Sequence, residues 1–168
     1  PGRVTSWTDR NGTSFAYVYD DRGRVARTEG SDGVLSGSFA YDEAGRTTTY
    51  TDSLGHTTRH HYNADGQVVE ETGALGHITR TTWDQVSHRP LEMTDPLGRT
   101  TTCAYDSDGN LTSLTLADGS TVQACYNAFG QPIEVAEPGG ARWLHRYDDR
   151  GNLLATTDPL GATTRYTY

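Results

Sequence analysis

The chain alternates short stretches rich in threonine and aromatic residues with short polar stretches that contain glycine, and this alternation has a fixed period. The aromatic residues Tyr19, Tyr41, Tyr62, Trp83, Tyr105, Tyr126, Tyr147 and Tyr168 follow one another at steps of 22, 21, 21, 22, 21, 21 and 21. An interleaved series of glycines at positions 12, 33, 55, 76, 98, 119, 140 and 161 keeps the same period. Self-similarity at a fixed step is the mark of a repeat architecture, here about eight copies of a 21-residue unit. Gly2-Arg3-Val4 is in phase with Gly23-Arg24-Val25, and the last residue falls where another copy begins. The expectation is a segment of a longer array, a single domain spanning residues 1–168.

One unit, residues 41–61, shows what the pattern predicts. Arg46 to Thr51 and His56 to Tyr62 have the length and composition of ordinary strands. Between them stands Asp52-Ser53-Leu54-Gly55. An aspartate at the first turn position accepts backbone hydrogen bonds, and a glycine at the fourth tolerates a positive φ. Asp95 with Gly98, and Asp158 with Gly161, repeat this turn with a proline in second place. The second turn follows the aromatic, with the pairs Asp20 and Gly23, Asp42 and Gly45, Asp106 and Gly109, and Asp148 and Gly151. It is expected to be a type I turn ending in a left-handed residue. Asn63 and Asn127 replace the aspartate in two copies, which argues for a backbone role and against a catalytic carboxylate. The fold class is therefore all-β: antiparallel hairpin repeats, about sixteen strands, in a sheet that must twist and curl. The two 22-residue steps are expected to absorb their extra residue as β-bulges.

Composition adds one constraint. Leu, Ile, Val and Phe together number only 26, and the formal net charge is −8, a combination that ordinarily accompanies disorder. Periodicity and the strand-favouring Thr, Tyr and Trp content point instead to abundant sheet with little conventional core. No apolar run approaches the ~20 residues of a membrane helix, and no leader-like segment opens the chain. The acidic balance argues against a nucleic-acid partner.

Candidate chemistry is sparse. His56 and His77 occupy equivalent positions two strands apart, roughly 9–10 Å, too far to share a zinc ion at ~2.0–2.1 Å; no metal and no cofactor is expected. Cys103 and Cys125 sit at different offsets from their aromatics and so on opposite faces, which disfavours a disulfide. No Gly-x-Ser-x-Gly elbow, Walker loop or HExxH is present, and no enzymatic activity is expected. The aromatic series reads as cross-strand packing.

Two coupled motifs, Tyr-Asp-x-x-Gly-Arg and Thr-Asp-Pro-x-Gly-x-Thr-Thr, recurring in phase across the whole chain, resemble the YD-repeat or Rhs-repeat family. That resemblance implies a β-strip wound spirally into a hollow cage. Members include bacterial Rhs polymorphic toxins exported by type VI secretion, C subunits of insecticidal Tc toxins, and animal teneurins. It further implies a secreted or exported bacterial protein, cytoplasmic before delivery, whose shell encloses a C-terminal toxin domain. The implied partners are the remainder of the same shell, that toxin domain and secretion-system tip proteins.

Bacterial shells of the family end in a self-cleaving plug motif. Pro90-Leu91-Glu92-Met93-Thr94-Asp95-Pro96-Leu97-Gly98 matches its first part, but Arg99 follows, so this stretch reads as an ordinary repeat and Asp95 as a turn residue. The alternative function is a cell-surface adhesion or carbohydrate-binding segment, with the aromatics directed outward.

Overall fold

The computed structural model describes residues 2–168, and every regular element in it apart from one 3-10 turn at Ser31–Gly33 is a β-strand. Two compact units divide the chain, Pro1–Arg80 and Thr81–Tyr168. The first holds β1 (Ser6–Thr8), β2 (Ser14–Tyr19), β3 (Val25–Gly30), β4 (Gly37–Asp42), β5 (Thr47–Asp52), β6 (Thr57–Tyr62) and β7 (Val68–Thr72). The boundary falls inside β8 (Ile78–Trp83). The second unit continues with β9 (Pro90–Thr94), β10 (Thr100–Tyr105), β11 (Leu111–Thr115) and β12 (Thr121–Tyr126). It ends with β13 (Pro132–Ala136), β14 (Arg142–Tyr147), β15 (Leu153–Thr157) and β16 (Thr163–Arg165). Within each unit every strand pairs antiparallel with its neighbour in sequence, an uninterrupted meander. β5 and β6 each lie within one residue of the boundaries the Thr-rich stretches predict.

The register carries a regular irregularity. In five hairpins the strand after the turn holds one extra residue just before the aromatic pairs. Val18 faces Arg27 while Tyr19 faces Val25, so Ala26 is left over. Val69, Thr112, Ile133 and Leu154 are the corresponding residues in the hairpins of Tyr62, Tyr105, Tyr126 and Tyr147. A one-residue bulge bends its strand and increases local twist, so an ordinary repeat bends once per hairpin.

This corrects the placement of bulges in the two long repeats. After Trp83 the extra residue lengthens the turn instead: Asp84 N–H donates to the Arg89 carbonyl at 2.8 Å, with His88 left-handed at φ 56. Ahead of Tyr41 it is absorbed by the loop around Ser31–Gly33, where Asp32 and Leu35 also have φ 56. A turn takes an additional residue without disturbing the ladder, whereas a strand must leave it over as a bulge. The hairpin of Tyr41 departs a second way. Pairing runs on through Tyr41 with Thr48 and Asp42 with Thr47, without any bulge, leaving a four-residue loop. Its left-handed residue is Arg46, φ 48, so Gly45 does not fill the left-handed place expected of it. The residue that elsewhere becomes the bulge is here spent in the turn.

No side chain is fully buried among the described residues, and Ala155, 8% exposed, is the one buried apolar residue. Alternate residues of β14 are half-buried and exposed, Trp143, His145 and Tyr147 against Arg142, Leu144 and Arg146. Leucines at the turn tips, Leu54, Leu75, Leu97 and Leu160, are more than three-quarters exposed. β1 pairs only with β2 and β16 only with β15, so each leaves an open row of backbone donors and acceptors that templates further pairing. The purified 168-residue chain is therefore expected to self-associate, and sedimentation showing a monodisperse monomer at micromolar concentration refutes that expectation.

Candidate functional site

The repeated turn is the unit from which any function must be built. In the Tyr19 hairpin, Gly23 N–H donates to the Asp20 carbonyl and Asp20 N–H to the Arg24 carbonyl, both at 2.8 Å. The Asp20 carboxylate lies along the inside of the loop, where one oxygen accepts the backbone N–H groups of Arg22 (3.0 Å) and Arg24 (2.8 Å). Gly23 holds φ 78, a conformation that costs a residue with a Cβ roughly 1–2 kcal/mol. The same oxygen-to-two-amides clasp recurs at Asp106 with Asp108 and Asn110, and at Asp148 with Arg150 and Asn152. It recurs on the other row of turns at Asp52, Asp95 and Asp158. Gly55, Gly98, Gly109, Gly151 and Gly161 all have positive φ. Asp42 differs with its hairpin: its carboxylate accepts the Gly45 N–H at 2.9 Å and occupies the space a Cβ on Gly45 would need.

At Asp20, Asp95, Asp106 and Asp148 the second carboxylate oxygen meets a side-chain donor from the fifth turn residue, whereas Ala162, fifth in the Asp158 turn, has none to offer. Asp20 Oδ2 accepts Arg24 Nε at 2.8 Å, Asp95 Oδ2 accepts Arg99 Nε at 2.6 Å, and Asp106 and Asp148 accept Asn110 Nδ2 and Asn152 Nδ2 at 3.0 and 2.9 Å. Where the first residue is asparagine the polarity reverses. Asn63 Nδ2 donates to Gln67 Oε1 at 2.6 Å, and Asn127 Nδ2 to Gln131 Oε1 at 3.1 Å. Hydrogen bonds to the charged form hold the aspartate carboxyls below their usual range. The Arg24 backbone N–H dominates at Asp20, the Arg99 side chain at Asp95, and the Asn110 and Asn152 side chains at Asp106 and Asp148.

The aromatic and the fifth turn residue tie each repeat to its neighbour. The hydroxyl of Tyr19 donates to the Val4 carbonyl at 2.6 Å, Tyr41 to Val25 at 2.7 Å, Tyr105 to Pro90 at 2.9 Å and Tyr126 to Leu111 at 2.8 Å. Val25, Pro90 and Leu111 each open the strand after the preceding repeat's turn, and Val4 stands at the equivalent place ahead of β1. In the opposite direction, the fifth turn residue reaches forward. The guanidinium of Arg24 lies over the Tyr41 ring, 4.2 Å from its centroid, and pairs with Glu43 at 2.8 Å. Arg3 and Arg89 lie over Tyr19 and Tyr105 at 5.5 and 5.7 Å. Gln131 Nε2 donates to the Gly151 carbonyl at 2.7 Å. A Cβ at Gly23 or Gly109 would collide with the guanidinium of Arg3 or Arg89. The turn glycine thus supplies its left-handed backbone and also the gap into which the previous repeat leans.

Tyr19 to Tyr147 in the aromatic series are all half-buried, whereas Tyr168 lies beyond β16 and is exposed. The aspartates are not gathered: each serves its own turn. His56 Nδ1 lies 3.1 Å from Asp52 Oδ2, and His60 Nε2 lies 3.2 Å from Glu71. Cys103 and Cys125 are both free thiols. Sequence reasoning missed Asp9, which clasps the amides of Asn11 and Thr13 at 2.8 and 2.9 Å; its phase with Gly12 was the available signal. It also missed the matched fifth residue, although Asn63 with Gln67 and Asn127 with Gln131 stood in the sequence as a pattern.

The RHS Repeat family model matches residues 2–34, 41–78, 83–121, 126–163 and 147–168. The chain belongs to the RHS repeat family. No curated protein matches this RHS-repeat chain in sequence. Among solved structures it is similar to TcdB2-TccC3, with a TM-score of 0.70 and 17% identity over 89% of this chain and 9% of that one. It is likewise similar to TcdB2-TccC3 without the hypervariable C-terminal region, TM-score 0.68 and 17% identity over 94% of this chain and 9% of that one. The Photorhabdus luminescens Tc holotoxin pore gives a TM-score of 0.67 at 16% identity, over 94% of this chain and 9% of that one. These are likenesses of fold, and the RHS-repeat chain spans 9% of the length of each matched chain.

The ties of the RHS repeat are separable by mutation. Tyr126→Phe removes a hydroxyl bonded to Leu111 and is expected to cost about 1 kcal/mol, whereas Tyr147→Phe, whose hydroxyl has no protein partner among the described residues, is expected to cost nothing measurable; equal denaturation midpoints for the two variants contradict the tie. The carboxylates of Asp20, Asp95, Asp106 and Asp148 have folded pKa values below the unfolded aspartate value of about 3.9, so their contribution is complete above that pH and is lost as pH falls through the folded values. Stability is therefore expected to fall as the pH drops below about 4. Asp95→Asn should destabilise at neutral pH by turning an amide toward Arg99, and adding Arg99→Gln should recover stability by rebuilding the Asn–Gln pair; melting curves of the single and double variants decide this.

Proposed function

We propose that this RHS-repeat segment is part of the wall of a shell in a secreted bacterial toxin, enclosing a C-terminal toxin domain until delivery. The observation that carries this reading is a sheet with almost no buried side chains, whose repeats are bound to one another by hydroxyl and guanidinium ties. Such a sheet gives area and curvature without needing a core behind either face, which is what a wall around a cargo requires. The family membership and the fold likeness to TcdB2-TccC3 support the same reading. In it, the partners are the remainder of the shell and the enclosed domain, and secretion-system tip proteins, as in type VI secretion, provide the delivery. The protein is cytoplasmic before export, and this segment works mechanically, with no catalysis of its own. No helix of the described residues is long and apolar enough to cross a membrane.

The adhesion or carbohydrate-binding alternative needs open aromatic faces. The Tyr41 and Tyr105 rings carry Arg24 and Arg89 over them, and their hydroxyls are already bonded to backbone.

Limited proteolysis of the full-length protein tests the proposal. The C-terminal domain is expected to resist cleavage in the native protein, and the Tyr105→Phe/Tyr126→Phe double variant should lose that protection at a lower temperature. Immediate cleavage within the folded native C-terminal domain overturns the enclosure reading.

A further inference from the structure

Comparison of the repeats at one register position shows a charge arrangement with its centre missing. The residue opposite the one that precedes the repeat aromatic is Glu70, Ser113, Glu134 or Ala155 in successive bulged hairpins of β6–β7, β10–β11, β12–β13 and β14–β15. In the first of these, Glu70 stands between His61 on β6 and Arg80 on β8, and its carboxylate pairs with Arg80 at 3.0 Å. In the last, Ala155 stands between Arg146 on β14 and Arg165 on β16. Base, acid, base has become base, alanine, base.

The two arginines flank Ala155 on one face of the sheet, their backbones two strands apart, roughly 9–10 Å. Both side chains belong to exposed residues, and among the described residues neither has an acidic partner within ion-pair distance, although the chain carries a net charge of −8. The acid nearest in register, Glu134, is engaged by Arg142. Between them lies a depression of about 330 Å³ lined by Leu144, His145, Arg146, Ala155, Thr157, Thr163 and Arg165. The Thr157 and Thr163 hydroxyls, bonded to each other at 2.9 Å, form a polar side to it. Two guanidiniums offer planar, charged donor pairs, the geometry that a carboxylate accepts with both oxygens. Like charges held across a small residue, without a counter-charge, raise the local affinity for an anion.

We propose that Arg146 and Arg165 form a carboxylate-binding site over Ala155, filled from outside by the group that Glu70 supplies from within its own repeat. The carboxylate comes from an acidic side chain of a polypeptide lying on this face or from a free dicarboxylate.

Thermal unfolding of the 168-residue chain with succinate, against sodium chloride of equal ionic strength, tests the site. Succinate is expected to raise the midpoint saturably above the chloride control, and Arg146→Gln or Arg165→Gln to weaken its apparent affinity tenfold or more. Ala155→Glu, which restores base, acid, base, is expected to raise the midpoint without succinate and to abolish the succinate response. No effect beyond chloride, or an undiminished response in the Arg146→Gln/Arg165→Gln double variant, overturns the proposal. A blocked Gly-Glu-Gly peptide distinguishes the sources: tighter binding than succinate assigns the site to a polypeptide carboxylate, weaker binding to a free dicarboxylate.

Discussion

A sheet in which Ala155 is the one buried apolar residue among the described residues has to find its cohesion between neighbouring repeats. Antiparallel pairing supplies part of it, but pairing alone leaves register and twist loosely specified in strands that are polar on both faces. The tyrosine hydroxyl removes that freedom. Bonded to a carbonyl 15 or 16 residues earlier, it allows one alignment of a repeat on its predecessor. Such a bond is worth about 1 kcal/mol net, modest alone and adequate when one recurs at most repeats.

The turn chemistry follows from the same constraint. A carboxylate that clasps two amides with one oxygen still has lone pairs on the other, and at Asp20, Asp95, Asp106 and Asp148 the fifth residue answers them with a donor. When the first residue is asparagine, the fifth is a glutamine that accepts. The fifth side chain is then the arm that crosses to the next repeat, as Arg24 and Gln131 do. Turn closure and repeat coupling therefore share atoms, and a substitution made in one turn is felt in the next.

Much of this was legible in the sequence because it is local. A period of 21 residues, a side-chain alternation of two, and an Asp or Asn three residues before a glycine are short-range signals, and they placed the strands and most of the turns. The bulges left no mark: Ala26, Val69, Thr112, Ile133 and Leu154 share no chemistry, since what defines them is the pairing of their neighbours. Gly45 misled for a related reason. Its motif matches the other copies, yet pairing through Asp42 and Thr47 moved the left-handed position to Arg46. The destination of each tyrosine hydroxyl depends on how far one hairpin is rotated on another, a quantity composition does not carry.

The direction of the hydroxyl ties has a consequence for synthesis. Tyr19, Tyr41, Tyr105 and Tyr126 each reach back to a carbonyl already made, so a repeat tied this way finds its acceptor waiting as it emerges from the ribosome. Contacts of such short sequence separation close quickly, and a chain assembled this way lengthens by accretion, one hairpin laid against the last. A sheet of this kind can be raised hairpin by hairpin in the order in which it is made.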